Sequence, residues 1–390
     1  MQVRSHIRRK SRKIFPIYLA TLFVSFHYAA VIYIGSSNLE RFFSKDIVSL
    51  LFILGATINI FLFVLTPKIL KKMSDRTLLF AFILLEILAV FGLAISHSPT
   101  TIAFMFLIHE SVVPMIYYCL DLFLEDATPE NETGEVRGID LTVVNIAIAC
   151  GPLLVSFLTP DGDFSLLYFA STLLLVPMLF VVFFSFRKLK IEPPKLGKSV
   201  FEFKLWLKSI DIRRVTIARL ILQIFYAVMV IYTPIYLHNT MMFSWSQIGL
   251  IFTVMLLPFI LFELPAEEVA EHWSGEKEVM TVGFFIMGMS LLIMPFLSAN
   301  IFSWMIVLFV SRIGASFVEV TTEAYFFKRV WKTDTGLISI FRITAPVSIV
   351  LGSMLGVIVL SLLPFKAIFL VLSILVFFGT QMSAILKEVR

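Results

Sequence analysis

Five ionisable side chains lie deep inside long apolar stretches of the sequence: His27, Glu86, His109, Glu110 and Arg312. Histidine exchanges a proton near neutral pH, a carboxylate can accept one, and the planar guanidinium of arginine suits a carboxylate or phosphate. Charges in an apolar membrane interior are costly and mark functional sites by default. These residue types therefore indicate proton transfer combined with the binding of an anionic group.

Glu110 and Arg312 form the main predicted pair. Each falls about ten residues into its apolar stretch, which places it near mid-depth of a bilayer at about 1.5 Å of helical rise per residue. We expect Arg312 to hold a substrate anion while Glu110 takes up a proton. The alternative is a permanent salt bridge that only locks helices together, or side chains directed at neighbouring helices.

The two histidines are predicted to relay protons, and Glu86 is predicted to take part in proton coupling by pairing with His109 or another partner. Consecutive helical residues diverge by about 100°, so His109 and Glu110 cannot both face one cavity squarely. For His27 and His109, the alternative is a packed histidine bonded to a backbone carbonyl.

Composition places these residues in a membrane protein. Hydrophobic residues make up 59% of the chain and charged residues 15%, with 41 Phe and a mean hydropathy of +0.94. Hydropathy predicts an all-α fold of twelve spans, each about 20 residues long. They are 14–34, 47–66, 78–96, 101–124, 138–158, 165–186, 215–237, 246–265, 279–297, 301–327, 336–362 and 364–386.

The distribution of basic residues predicts the orientation. Of the 32 Lys and Arg residues, 26 lie in the segments that share one side with both termini, and three lie on the other side. Basic loops stay in the cytoplasm, so both termini are predicted to be cytoplasmic in a plasma (inner) membrane. The formal charge of +5 is then expected to face anionic lipid, with no nucleic-acid partner.

A polar stretch at residues 187–214 separates the two groups of six spans. It carries nine basic and three acidic residues, so it is predicted to be a cytoplasmic linker with a short interfacial helix at 200–210. The chain is thus divided into an N-terminal six-helix bundle at 1–186, the linker at 187–214 and a C-terminal six-helix bundle at 215–390.

Motifs for catalysis and cofactors are missing from the sequence. Cys119 and Cys150 both fall inside predicted spans, which suggests neither a disulfide framework nor a metal site. The zinc-protease, nucleophile-elbow and P-loop patterns are also absent. We therefore expect no enzyme, no cofactor and no metal, and an energy source in an ion or substrate gradient.

The two halves repeat each other at an offset of 198 residues. This offset aligns Pro67 with Pro265, Asp121 with Glu319, Glu125 with Glu323, and Gly138 with Gly336. All of these matches lie at predicted cytoplasmic ends of spans. The repeat predicts two pseudo-symmetric six-helix bundles in parallel topology.

With six plus six spans and a basic central loop, the chain resembles the major facilitator superfamily over essentially its whole length. That family carries a loop signature, G-x-x-x-D-R-x-G-R-K in outline, after its second span and more weakly after its eighth. Here residues 67–76 keep the basic character but have Lys71 at the acidic position. Residues 267–277 keep an acid, Glu271, and have Gly275 nearby.

The resemblance implies alternating access by a monomer, with a small-molecule substrate bound between the halves. In that family, spans one, four, seven and ten line the cavity. The predicted substrate-binding residues are Arg312, Glu110, His27, Tyr28, His109, Gln223, Tyr226 and Asn59, and the predicted proton-coupling residues are Glu110, His109 and Glu86. For Asn59, the alternative is a hydrogen bond between helices.

Charges at the cytoplasmic ends are predicted to gate the cavity. Asp121 and Glu125 are four residues apart on one helix face, and Glu319 and Glu323 repeat this spacing. By the resemblance, such groups clamp the halves together when the transporter faces outward. The predicted gating residues are Asp121, Glu125, Asp140, Arg219, Glu263, Glu271, Glu319, Glu323, Arg342, Asp75 and Arg76. The alternative is that they are solvated helix ends.

The sequence therefore predicts a secondary active transporter that is coupled to protons and moves a small organic molecule. Uptake of an organic anion and export of an amphipathic compound both stay open. Two other classes are a sensor or scaffold that has lost transport, and a membrane enzyme that acts on lipid-linked substrates.

Overall fold

A computed structural model describes residues 2–70, 72–128, 133–159, 162–189, 201–330 and 334–387. Within these ranges the regular structure is helical. Helices α1–α7 are Gln2–Val31, Gly35–Glu40, Lys45–Ile69, Asp75–Ile95, Pro99–Ala127, Thr133–Leu158 and Ser165–Ser185. Helices α8–α16 are Phe203–Lys208, Ile210–Asn239, Trp245–Leu261, Glu263–Val269, Glu276–Ile293, Ile301–Arg329, Thr335–Arg342, Thr344–Leu362 and Ala367–Ala384.

Twelve helical segments in the described residues are long and apolar enough to cross a membrane. This confirms the twelve spans that hydropathy predicts. Two of the spans contain a break, at Phe262 between α10 and α11 and at Ile343 between α14 and α15. Each break lies three residues before a proline, Pro265 or Pro346. A proline has no N–H for the carbonyl four residues earlier, and its ring clashes with that carbonyl.

The linker helix is shorter than expected. Predicted at 200–210, it covers only Phe203–Lys208 and has no buried residue. Helix α9 then begins at Ile210, so Arg213 and Arg214 lie in the first turns of this helix. The predicted linker residues 190–200, like Lys71 of the loop signature, lie outside the described part of the chain.

The chain forms two compact units. Unit 1 comprises Met1–Phe43 and Thr57–Lys195, and unit 2 comprises Ser44–Ala56 and Leu196–Arg390, so the boundary between them passes through α3. In unit 1, α1 packs against α5, α6 and α7, while α4 packs against α5 and α7. In unit 2, α9 packs against α13, α15 and α16, while α12 packs against α13 and α16. The same set of helix pairs recurs, in agreement with the predicted repeat.

Glycines allow close helix contacts in each unit. In unit 1, a Cβ on Gly151 of α6 would lie 2.6 Å from the backbone carbon of Ala29 on α1. In unit 2, a Cβ on Gly283 of α12 would lie 2.6 Å from the carbonyl oxygen of Gly314 on α13. Small residues of this kind let membrane helices approach until their backbones touch. These contacts fix the helices that carry the polar residues described below.

Candidate functional site

Three helices of unit 1 meet at the carboxylate of Glu86. His27 Nε2 on α1 lies 2.9 Å from Glu86 Oε1, and His109 Nδ1 on α5 lies 2.5 Å from the same oxygen. The side chains of His27 and Glu86 are 0% exposed, and that of His109 is 8% exposed. An ionised carboxylate only accepts hydrogen bonds, so both imidazoles donate an N–H to Oε1. We call His27, Glu86 and His109 the histidine–carboxylate cluster.

Ser171 of α7 contacts the other side of the His27 ring. Its Oγ lies 2.8 Å from His27 Nδ1 and 3.0 Å from the backbone oxygen of His27. The backbone oxygen of Ser171 lies 3.3 Å from the same Nδ1. Ser171 was not predicted, because a single serine in an apolar helix carries no distinctive pattern.

The three donor atoms of the cluster all lie within 4.8 Å of one another, so the cluster is also a candidate metal site. Ligand atoms around a tetrahedral zinc stand about 3.3 Å apart, given zinc–ligand bonds of about 2.0–2.1 Å. The N···O separations of 2.9 Å and 2.5 Å are shorter. They fit hydrogen bonds better than a preformed coordination shell.

Arg312 lies on α13 in unit 2 and is 1% exposed. Its guanidinium carbon is 4.6 Å from the centre of the Phe225 ring and 5.9 Å from the centre of the Tyr226 ring, both on α9. Such a cation over an aromatic face is stabilised by about 2 kcal/mol when it is desolvated. The aromatic residues of α9 therefore help to keep the charge of Arg312 buried.

A row of polar contacts continues from Arg312 between α9 and α13. Tyr226 Oη donates to Glu319 Oε2 at 2.8 Å. Arg219 lies 3.5 Å from Glu319 Oε1 and 3.1 Å from Glu323 Oε1. Residues seven apart on a helix share a face, so the spacing of 219 and 226 on α9 matches that of 312 and 319 on α13. We call these five residues the α9–α13 ladder.

The corresponding acids of unit 1 also gather around one arginine. Arg137 of α6 lies 3.3 Å from Asp121 Oδ1 and 3.9 Å from Glu125 Oε2. The acids occupy equivalent positions in the two units, whereas the arginines come from helices that are not equivalent, α6 and α9. The predicted face shared by Asp121 and Glu125 is thus present, and an ion pair within unit 1 engages it.

The remaining predicted gating residues lie at helix ends or close to them. Arg76 donates to the backbone oxygens of Val182 at 3.3 Å and Phe183 at 2.5 Å, in the last turn of α7. Asp75 lies at the start of α4 and Arg342 at the end of α14. Asp140 on α6 forms a hydrogen bond with Thr21, and Glu263 at the start of α11 interacts electrostatically with Arg219. Glu271 is exposed on the short helical turn Ala270–Ser274 that follows α11.

The remaining predicted substrate-binding residues differ in burial. Tyr28, Glu110 and Gln223 are partly exposed. Asn59 is buried and donates from Nδ2 to the backbone oxygen of Ser111 at 2.9 Å, which is the helix-to-helix bond considered as its alternative. Glu110 belongs to unit 1 and Arg312 to unit 2, so their direct pairing stays a prediction.

Among the described residues, two ion pairs that join different helices of unit 2 were not predicted. Asp211 at the start of α9 lies 3.0 Å from Arg329 at the end of α13. Glu276 of α12 forms an ion pair with Lys328 of α13. The signal for them was the opposite charge of residues at neighbouring span ends. Sequence alone does not show which ends are neighbours.

A family model described as Major Facilitator Superfamily matches residues 14–247 and 216–388 of the chain. The chain belongs to the Major Facilitator Superfamily. It is accordingly an integral membrane protein of the secondary-transporter class. No curated protein matches it. A solved structure, a mutant form of the nucleoside transporter NupG, is similar with a TM-score of 0.75 and 12% sequence identity. The alignment covers 95% of this chain and 99% of NupG. At this sequence identity, the similarity establishes a shared fold alone.

Proposed function

We propose that the protein is a proton-coupled secondary active transporter that moves a small organic molecule by alternating access. The proposal places the chain in the plasma (inner) membrane as a monomer with both termini in the cytoplasm. The excess of basic residues on the side of the termini, 26 of 32, supports this orientation.

The observation that carries the substrate proposal is the burial of Arg312 against Phe225. A guanidinium that rests on an aromatic ring can still direct its N–H groups sideways to a carboxylate, phosphate or hydroxyl group. In the proposal, Arg312 binds an acidic or hydrogen-bonding group of the substrate. Tyr28, Gln223 and Tyr226 supply further contacts, and Glu110 takes up a proton.

Two substrate classes follow for testing. Arg312 favours organic anions. The fold shared with a nucleoside transporter makes nucleosides the second class, although 12% identity carries no substrate specificity by itself.

Uptake into proteoliposomes tests the proposal. The purified full chain is reconstituted and a pH gradient is imposed, and uptake of labelled uridine, adenosine, lactate and citrate is measured. We expect a compound in one of these classes to accumulate only when the gradient is present. Arg312→Ala should abolish its uptake, and Arg312→Lys should reduce it because lysine lacks the planar fork. Arg41→Ala is the matched control, because Arg41 lies outside the spans and its side chain is 47% exposed. Equal uptake by Arg312→Ala would overturn the role of Arg312.

A further inference from the structure

We propose that the histidine–carboxylate cluster, together with Ser171, is a proton-binding site in which the proton is gained and lost at Nδ1 of His27. The inference rests on the proposed proton coupling and assigns it a site within unit 1. It develops the proton-relay role predicted for His27, in place of the direct substrate contact that was also predicted for this residue.

The two contacts at Glu86 show where the hydrogens of the histidine rings lie. The separation of 2.9 Å between His27 Nε2 and Oε1 and that of 2.5 Å between His109 Nδ1 and Oε1 each require a hydrogen between the two atoms. A carboxylate can accept both hydrogens at one oxygen. Nε2 of His27 is therefore protonated throughout, and the variable atom of this ring is Nδ1.

Ser171 can form a hydrogen bond with His27 Nδ1 in both protonation states of that atom. When Nδ1 is unprotonated, the Ser171 hydroxyl donates to it across 2.8 Å. When Nδ1 is protonated, the hydroxyl turns to donate to the backbone oxygen of His27 at 3.0 Å. The serine oxygen then accepts from Nδ1–H, with the Ser171 carbonyl as a second acceptor at 3.3 Å. His27 can thus change its charge without leaving a buried polar atom unpaired, which would otherwise be destabilising.

The ring of His27 lies close to charged groups. The Glu86 carboxylate lies directly beside His27. Its second oxygen has no hydrogen-bond partner among the described residues, and both histidines contact Oε1. Glu110, next to His109 on α5, interacts electrostatically with both His109 and Glu86. Tyr28 on α1 interacts with Glu110 in turn. A proton on His27 therefore adds a positive charge directly beside the Glu86 carboxylate.

The members of the cluster differ in the exposure of their side chains. In the proposal, the proton enters on the side of His109, the member of the cluster with exposed side-chain area. The neighbouring Glu110 is partly exposed. A purely structural cluster does not require Nδ1 of His27 to change its protonation state, and this difference can be measured.

Solid-state NMR of the full chain in lipid bilayers, with isotope-labelled histidine rings, tests the proposal. The chain has six histidines, and His27→Gln identifies the His27 signals by their loss. Spectra are recorded from samples at about pH 9 to about pH 5, and the proposal requires Nδ1 of His27 to occur in both the unprotonated and the protonated form while Nε2 stays protonated. An Nδ1 signal that keeps one state over the whole range would overturn the proposal. So would a stoichiometric metal ion, retained by the purified protein and lost in Glu86→Gln.

Ser171→Ala provides a second test that does not depend on whether His27→Gln folds. It should lower the ratio of protonated to unprotonated Nδ1 about tenfold at a given pH, because the hydrogen bond lost from the charged ring is stronger than the one lost from the neutral ring. Thr172→Ala is the matched control, since the Thr172 hydroxyl bonds its own helix, at the backbone oxygen of Tyr168. An unchanged ratio in Ser171→Ala would contradict the role of Ser171.

These spectra need no substrate, so they separate the site from the transport function. A His27 that titrates in a protein without proton-driven uptake would support the site and overturn the proposed function. A His27 that does not titrate in a protein with proton-driven uptake would overturn the site alone.

Discussion

Tyr226 of α9 donates its phenolic hydrogen to the carboxylate of Glu319 on α13, with 2.8 Å between Oη and Oε2. The Tyr226 ring also lies beside the Arg312 guanidinium, and Glu319 contacts Arg219. Tyr226 and Glu319 therefore connect the buried arginine to the ion pairs at the predicted cytoplasmic end of unit 2.

Removing this hydrogen bond should loosen the contact between α9 and α13. We expect Tyr226→Phe to reduce the free energy of unfolding by about 1 kcal/mol, a typical value for a hydrogen bond between membrane helices. Unfolding titrations of Tyr226→Phe, Glu319→Ala and the double variant form a double-mutant cycle. The two effects should be non-additive by about 0.5–2 kcal/mol. Strict additivity would contradict the contact.

Loss of the Glu86 carboxylate should be strongly destabilising. Glu86→Ala leaves two buried imidazole N–H groups without their acceptor, and breaking a buried charged contact costs about 3–5 kcal/mol. The free energy of unfolding in detergent is the measurement. Glu268→Ala is the control, because Glu268 is exposed and such substitutions change stability by about 0.5 kcal/mol or less. Similar values for the two variants would mean that the carboxylate does not hold α1, α4 and α5 together.

Two glycines of α6 should respond in opposite ways to an added methyl group. A Cβ at Gly151 would lie 2.6 Å from the backbone carbon of Ala29, whereas a Cβ at Gly138 meets nothing within 4 Å among the described residues. Overpacking typically costs about 1–3 kcal/mol, so Gly151→Ala should lower the thermal midpoint of unfolding. Gly138→Ala should leave the midpoint unchanged or raise it, because alanine favours a helix by up to about 1 kcal/mol. A reversed order would show that α1 and α6 are not in close contact.

The two arginines that gather acids at the predicted cytoplasmic ends should differ in their contribution to stability. The Arg219 side chain is 13% exposed and the Arg137 side chain is 41% exposed. Exposed ion pairs contribute about 0–1 kcal/mol, while removing one partner of a buried pair costs about 3–5 kcal/mol. We expect Arg219→Ala to lower the free energy of unfolding by about 2–3 kcal/mol and Arg137→Ala by less than about 1 kcal/mol. Unfolding titrations at low and high salt check this, since screening weakens only the exposed pair appreciably.

The membrane spans could be predicted from the sequence, because an apolar run of about 20 residues has few alternatives to a membrane helix. It missed the breaks at Phe262 and Ile343, since hydropathy averages over the backbone defect that Pro265 and Pro346 introduce. The helix 200–210 was predicted too long, because periodicity does not locate the ends of a short exposed helix.

For the site, the sequence indicated which residues are costly to bury but not which of them meet. The expected contact between Glu86 and His109 is present. The convergence of His27 on the same oxygen and the contribution of Ser171 depend on how α1 and α7 are rotated in unit 1. A single sequence carries no information on that rotation. Likewise, Arg137 and Arg219 lie on helices that are not equivalent, so the internal repeat could not pair them with their acids.

The central claim is that substrate movement and proton movement are coupled in one protein. The most direct test is a pH-sensitive dye trapped inside proteoliposomes that contain the full chain, with no gradient imposed. Addition of the compound that the uptake assay identifies should change the luminal pH. The change should be absent from protein-free liposomes and from liposomes that contain Arg312→Ala. Uptake of the labelled compound without any change in luminal pH would contradict the claim.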